Sequence, residues 1–260
     1  MKLIFIRHAD PDYAHDSLTE KGKREAELLS ETIGGYGIDE VFVSPLGRAK
    51  ETARYSLDKL GMEGIACDWL KEFEARFDPN LSEDAAKAYA TELNKDPKTG
   101  LYEKRIVWDI LPSYLADHPE LLDREGWKES DIAKCGNMIS EYNMVRDNFY
   151  RLLRDHGYDR VGDVFIPREG NDRTLAFFCH LGVTAIMLSL LWNVSPFVTL
   201  QNIAMAPTGV TILATEERQR GIAIFRTLRI GDVTHLLMAG EEPSFSARFC
   251  ELYDNMDERH

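Results

Sequence analysis

The chain has 260 residues, 44% of them apolar and 29% charged, with no low-complexity segment and no fixed repeat; this composition excludes a disordered or fibrous chain and fits a globular protein with its own core. Its 44 acidic residues outnumber 31 basic ones, and the net charge of −13 opposes general attraction to nucleic acid or anionic lipid. An anionic ligand must therefore be caught by a local basic pocket, and the longest apolar stretch, LGVTAIMLSLLWNV at 181–194, is too short to span a bilayer and reads as a buried helix.

The opening run KLIFI is a predicted buried strand that breaks directly into Arg7-His8, and it lacks the length of a secretory signal's apolar core. SLTEKGKREAELLSETI follows as a helix, with Ser17 or Thr19 at its N-cap, apolar positions at Ala26, Leu29 and Ile33, and GGYG as its stop. EVFVSP is a second buried strand closing at Pro45, RAKETARYSLDKLG a helix running from Arg48 to Gly61, and GIACDW a third strand. This alternation predicts right-handed crossovers and an α/β fold: a three-layer, doubly wound, mostly parallel sheet.

From roughly residue 76 to 172 the pattern turns mainly helical. LSEDAAKAYATEL is one predicted helix. NMISEYNMVRDNFYRLLRDHG is another, with Met138, Tyr142, Val145, Phe149 and Leu152 forming a stripe too short for a coiled coil and suited to a packed cap. VGDVFIPREGNDRT adds an extended segment with a turn. TLAFFCH then resumes the core as an unbroken apolar strand, and GVTILAT and GIAIFRTL, separated by EERQR, form a closing hairpin. Residues 1–260 thus read as a single α/β domain, its sheet built from two sequence-distant halves around the helical insertion.

Cys67, Cys135, Cys179 and Cys250 are far apart and form no C-x-x-C pair, so neither a zinc site nor a disulfide framework is expected, and a reducing, cytoplasmic setting fits them. Cys179 adjoins His180, but neighbouring strand residues point to opposite faces, and a thiol beside Phe177 and Phe178 reads as a small buried apolar group. No G-x-G-x-x-G or G-x-x-x-x-G-K-S/T follows any strand, so no nucleotide cofactor is expected.

Ligands of open parallel sheets bind beyond the carboxyl ends of the strands. Arg7 and His8 follow the first strand, Arg48 follows the second, and His180 ends the later central strand. Two guanidiniums and two imidazoles at three strand ends make a pocket for a phosphoryl group, whose oxygens match the paired N–H donors of arginine. Tyr13, His15, Trp108, Tyr114 and Arg173 are candidates for its rim, while His118 and His235 are read as structural or exposed.

The segments IRHADPDY, SLTEKGKREA, SPLGRAKETA and FFCHLGV resemble, in order, the signature of the histidine phosphatase superfamily, branch 1, the phosphoglycerate mutase-like group. Its Arg-His-Gly pattern falls on Arg7, His8 and Ala9. Its Leu-Thr…Gly…Ala segment falls on Leu18, Thr19, Gly22 and Ala26, and its Ser-Pro…Arg-Ala…Thr-Ala segment on Ser44, Pro45, Arg48, Ala49, Thr52 and Ala53. The resemblance spans about the first 75 residues and again roughly 172 to 235.

It implies two-step covalent catalysis without a metal or other cofactor. His8 would attack phosphorus to give phosphohistidine, Arg7, Arg48 and a protonated His180 would neutralise the phosphoryl oxygens, and a glutamate in a Leu-x-Glu setting would serve as acid and base. Leu70-Lys71-Glu72 matches that setting, with Glu74 as the alternative. The departures are Ala9 for the usual glycine and Leu181 where glycine is common.

WLKEFEARFDPN lacks the Gly-x-x-x-Gly-like pattern of the mutases, so the resemblance favours a phosphomonoester hydrolase acting on a small phosphorylated metabolite. The alternatives are a mutase, with Arg76, Lys71 and Arg105 available to a substrate carboxylate, and a non-catalytic phospholigand-binding protein. The exposed face of the 138–152 helix or the edge of GIAIFRTL offers a place for a homodimer.

Overall fold

The computed structural model describes residues 1–89, 93–244 and 254. The chain divides into two compact units, one formed by Met1–Glu72, Leu152–Thr184 and the chain from Ala204 on, the other by Phe73–Arg151 and Ala185–Ile203.

The first unit starts with β1 (Lys2–Arg7), buried from Leu3 onward, and a two-residue hairpin, β2 (Pro11–Asp12) with β3 (Ser17–Leu18). Thr19 caps α1 (Glu20–Ile33), its Oγ1 accepting the Gly22 amide at 3.0 Å; Ala26, Leu29 and Ile33 are buried as predicted. Next come β4 (Glu40–Val43), α2 (Gly47–Leu60), stopped by the left-handed Gly61, and β5 (Gly64–Ala66). β5 is only three residues long and exposed along its length, a short edge rather than the longer strand GIACDW suggests.

The second unit contains β6 (Arg76–Phe77), α3 (Glu83–Ala86), β7 (Arg105–Ile106), α4 (Pro112–Asp117), α5 (Asp131–Lys134) and most of α6 (Met138–Asp155). Its core gathers Trp127 edge-on to Tyr142 and Phe197, and Phe77 stacked on Tyr89. The α6 stripe is buried at Met138, Tyr142, Val145 and Phe149, but its next member is Leu153, with Leu152 half-buried. The helix expected over 81–93 is shorter than its alanines suggest: Lys87, Ala88 and Tyr89 close tight turns on the residues three before them, and 90–92 lie outside the described residues. Cys250 also lies outside them.

The first unit continues through the hairpin β8 (Tyr158–Val161) and β9 (Val164–Pro167), then β10 (Thr174–Cys179), which leads into α7 (Leu181–Trp192). After α8 (Pro196–Asn202) come β11 (Val210–Gln219), β12 (Ile222–Asp232) and α9 (Thr234–Met238). The last hairpin turns at Gly221, φ +76°, so most of EERQR belongs to a strand rather than to the connection.

Eight strands form one sheet in the order β5-β4-β10-β1-β11-β12-β9-β8. β5, β4, β10 and β1 are mutually parallel, and β11 enters antiparallel to β1 and starts an antiparallel flank. Ile4, Ile6, Val41, Val43, Ala176 and Phe178 pack on Leu29, Ile33 and Ala53 from the two helices, so the centre of the sheet is sealed. Among the described residues no helix is long and apolar enough to cross a membrane.

Gly22 shows why this packing is specific. Alanine ordinarily favours a helix interior over glycine by about 0.8–1 kcal/mol. A Cβ at Gly22, however, would sit 2.2 Å from the Asp10 carbonyl oxygen, whereas at Gly34 it would meet nothing within 4 Å. Gly22→Ala is therefore expected to destabilise the protein by about 1–3 kcal/mol and Gly34→Ala to leave it unchanged or slightly more stable, as urea denaturation would measure.

Candidate active site

The parallel ladder continues past the strand ends. The His8 amide donates to the Cys179 carbonyl at 3.0 Å, and the Ser44 amide to the Phe178 carbonyl at 2.9 Å. Arg7, His8, Ser44 and His180 thereby meet at one end of the sheet, with Arg48 in the first turn of α2, and all five are buried. His180 lies one residue beyond β10, not within it, and its ring centroid is 5.0 Å from that of His8.

His8 is fixed in one tautomer. Its Nδ1–H donates to the Ala9 carbonyl at 2.8 Å, which puts the ring's lone pair on Nε2. Ala9 does not have a positive φ, so its methyl group requires no left-handed backbone, and its amide donates to Thr52 Oγ1 at 2.9 Å. Burial, then the charge of Arg7, holds His8 well below the usual imidazole range, as a nucleophile requires.

His180 Nε2 shares a hydrogen with Ser44 Oγ across 2.8 Å, and its buried Nδ1 has no partner among the described residues. Burial first, then His8, Arg48 and Arg7, pushes His180 well below its ordinary value. The protonated His180 implied by the resemblance thus needs the negative charge of a ligand to offset burial and its cationic neighbours.

The arginines are held from behind. Arg7 Nη1 donates to the Met205 carbonyl at 2.6 Å. Arg48 Nη1 donates to Asp16 Oδ1 at 2.7 Å, while Asp16 Oδ2 accepts the Gly47 amide at 2.6 Å; Arg48 Nε is buried with no partner among the described residues. Asp16 adopts φ +47°, and a Cβ at Gly47 would lie 1.9 Å from its carbonyl oxygen, so the contact requires glycine there. Sequence reasoning misses Asp16 and Met205; an Asp directly before the cap candidate Ser17, and three residues before Thr19, is the sole local signal for the first.

Glu72 Oε1 accepts the amides of Gly182 at 2.9 Å and Val183 at 3.3 Å, at the start of the helix that follows His180, and its charge acts on Arg7. Leu181 leaves both donors in place. Glu74 is exposed and belongs to the other unit. Burial pushes the Cys179 thiol up to about 12, in keeping with an inert residue.

The rim candidates scatter. Tyr13, 64% exposed, acts electrostatically on Arg7, and its ring lies 5.4 Å from the Arg48 guanidinium. His15 is exposed and pairs with Asp12. Trp108 and Tyr114 belong to the second unit, where the buried Tyr114 stacks on His118. Arg173 is corrected: it precedes β10, at the opposite end of that strand from His180, and pairs with Glu40 at 3.0 Å. Lys71 pairs with Asp68 and Arg105 with Asp109, while Arg76 is exposed. His235 is buried.

His8, His180 and His235 refuse protons that the unfolded chain accepts near pH 6.5, with His235 held down at about 4. Their stabilising contribution is complete above pH 6.5 and is lost as pH falls below it. Urea unfolding should therefore show stability declining between about pH 6.5 and 5, above the carboxylate range, with a shallower decline in His180→Gln.

The sequence model of the histidine phosphatase superfamily (branch 1) matches residues 3–102. No curated protein matches the chain. Among solved structures, a variant phosphoserine phosphatase of Entamoeba histolytica in complex with phosphoserine is 18% identical, with a TM-score of 0.54 over 90% of this chain and 98% of that one. A mycobacterial glucosyl-3-phosphoglycerate phosphatase with inorganic phosphate is 15% identical, at a TM-score of 0.54 over 90% and 98%. The α-ribazole phosphatase of Shigella flexneri is 16% identical, at a TM-score of 0.52 over 90% and 97%. Residues 3–102 thus carry the sequence pattern of the histidine phosphatase superfamily, branch 1, and nine-tenths of the chain shares the fold of these phosphatases.

Proposed function

We propose that the protein is a cytoplasmic, metal-independent phosphomonoester hydrolase that works through a phosphohistidine intermediate on a small phosphorylated metabolite. The observation that carries this reading is His8, neutral, fixed through Nδ1, and set among Arg7, Arg48 and His180.

His8 Nε2 attacks phosphorus in line and the ester P–O bond breaks as the P–N bond forms. Glu72, charged in the free site, takes up a proton from solvent as the anionic ester binds and gives it to the leaving oxygen. Water then attacks the phosphohistidine and gives its proton to the Glu72 carboxylate, while the P–N bond electrons return to His8. Arg7, Arg48 and His180, protonated when the dianion binds, neutralise charge on the equatorial oxygens, a task metal ions perform in other phosphoryl-transfer sites. The names of the structural neighbours support phosphatase over mutase chemistry, and their phosphoserine, phosphoglycerate and ribazole esters support a small substrate.

Release of phosphate from p-nitrophenyl phosphate should survive EDTA across pH 4–8 and vanish in His8→Ala. Glu72→Gln should lower kcat by about 10²–10⁴-fold on an alkyl phosphomonoester and by less on p-nitrophenyl phosphate, whose leaving group needs no proton. A folded wild type that hydrolyses none of a panel of phosphomonoesters would refute the proposal and favour phospholigand binding.

A further inference from the structure

Thr208 stands in the left-handed region at φ +57°, where a β-branched residue is rare and strained. Its amide is shared between two carbonyl oxygens, Arg7 at 3.2 Å and His8 at 3.3 Å. The same stretch closes around Arg7 in two more places, the Arg7 amide donating to the Gly209 carbonyl at 3.2 Å and Nη1 to the Met205 carbonyl. Main chain and guanidinium of the reactive dipeptide therefore rest on residues 205–209.

The Thr208 side chain shows what holds that stretch. Its hydroxyl proton is committed to the Pro207 carbonyl at 2.7 Å, so its oxygen must accept in its contact with His235 Nε2 at 3.0 Å. His235 is consequently an Nε2–H donor. It is buried in the first turn of α9, and desolvation outweighs the nearby Asp232 to keep the ring neutral at neutral pH. From β12, the Gly231 amide donates to Thr211 Oγ1, which donates to Met205 Sδ at 3.2 Å and secures the other end of the stretch.

We infer that His235 and Thr208 are positioning residues for Arg7 and His8: the ring N–H locks a strained turn whose amide fixes both carbonyls, and with them the side chains aimed at phosphorus. The inference rests on the phosphoryl-transfer reading above for its kinetic consequence, but the hydrogen-bond chain is measurable without turnover.

The test compares His235→Phe, which keeps a ring and removes the donor, with His235→Gln, whose amide N–H can reach the same oxygen. On p-nitrophenyl phosphate, His235→Phe should lower kcat/KM about tenfold or more while remaining folded by circular dichroism, and His235→Gln should recover to within about threefold of wild type. Thr208→Val should resemble His235→Phe, and the double variant should be no worse than either single one.

Nuclear magnetic resonance supplies the second readout: His235→Phe should speed exchange of the Thr208 amide and shift the ring nitrogens of His8, and His235→Gln should restore both. Altered His8 signals in His235→Phe, together with a wild type that turns over no ester, would refute the phosphatase reading and leave the positioning role standing. Unchanged His8 signals and unchanged kcat/KM in His235→Phe, or equal losses in Phe and Gln variants, would overturn the inference.

Discussion

The bond from the His8 amide to the Cys179 carbonyl extends the pairing of β1 with β10 one residue beyond both strands, and the candidate site depends on it. Register Arg7↔Cys179 places His8 beside His180, and the companion bond from Ser44 to Phe178 brings Ser44 Oγ to His180 Nε2. A slip of one residue would turn every side chain to the other face. Because Ile4, Ile6, Ala176 and Phe178 pack into one apolar cluster, the hydrophobic pattern that builds the core also fixes the chemistry at its end.

Burial acts differently on the two kinds of cation gathered there. A guanidinium stays charged at any working pH, so Arg7 and Arg48 are constant positive charges. Such charges are costly to desolvate unless paired or hydrogen-bonded. Met205 and Asp16 meet that requirement from behind, with the charge of Glu72 acting on Arg7 as well. Imidazoles can instead discharge, and His8 and His180 do so. The pocket thus holds two fixed charges and two protonation states that a bound anion can change.

Much of this is legible in the sequence. KLIFI and TLAFFC are unbroken apolar runs, and strand-end logic assigns Arg7, His8, Arg48 and His180 to one place. What is not legible depends on backbone placement between distant residues. Thr208 and His235 are separated by 27 positions, and neither pattern nor charge pairs them. Glu25 sits within the buried stripe of Gly22, Ala26 and Leu29, where a carboxylate contradicts the period; its oxygens accept the amides of Asp10 and Ser244, the latter near the chain's other end. Arg173 illustrates a different limit, since a residue before a strand and a residue after it lie a full strand length apart.

Cys179 has a consequence of its own. Fully buried at the end of β10, between β4 and β1, with its thiol held protonated, it should be silent toward alkylating reagents while these three strands remain paired. Cys67 and Cys135 are partly exposed and would react first. The rate at which Cys179 becomes modified would then record the opening of the sheet's centre, making one side chain an internal clock for the most protected part of the fold.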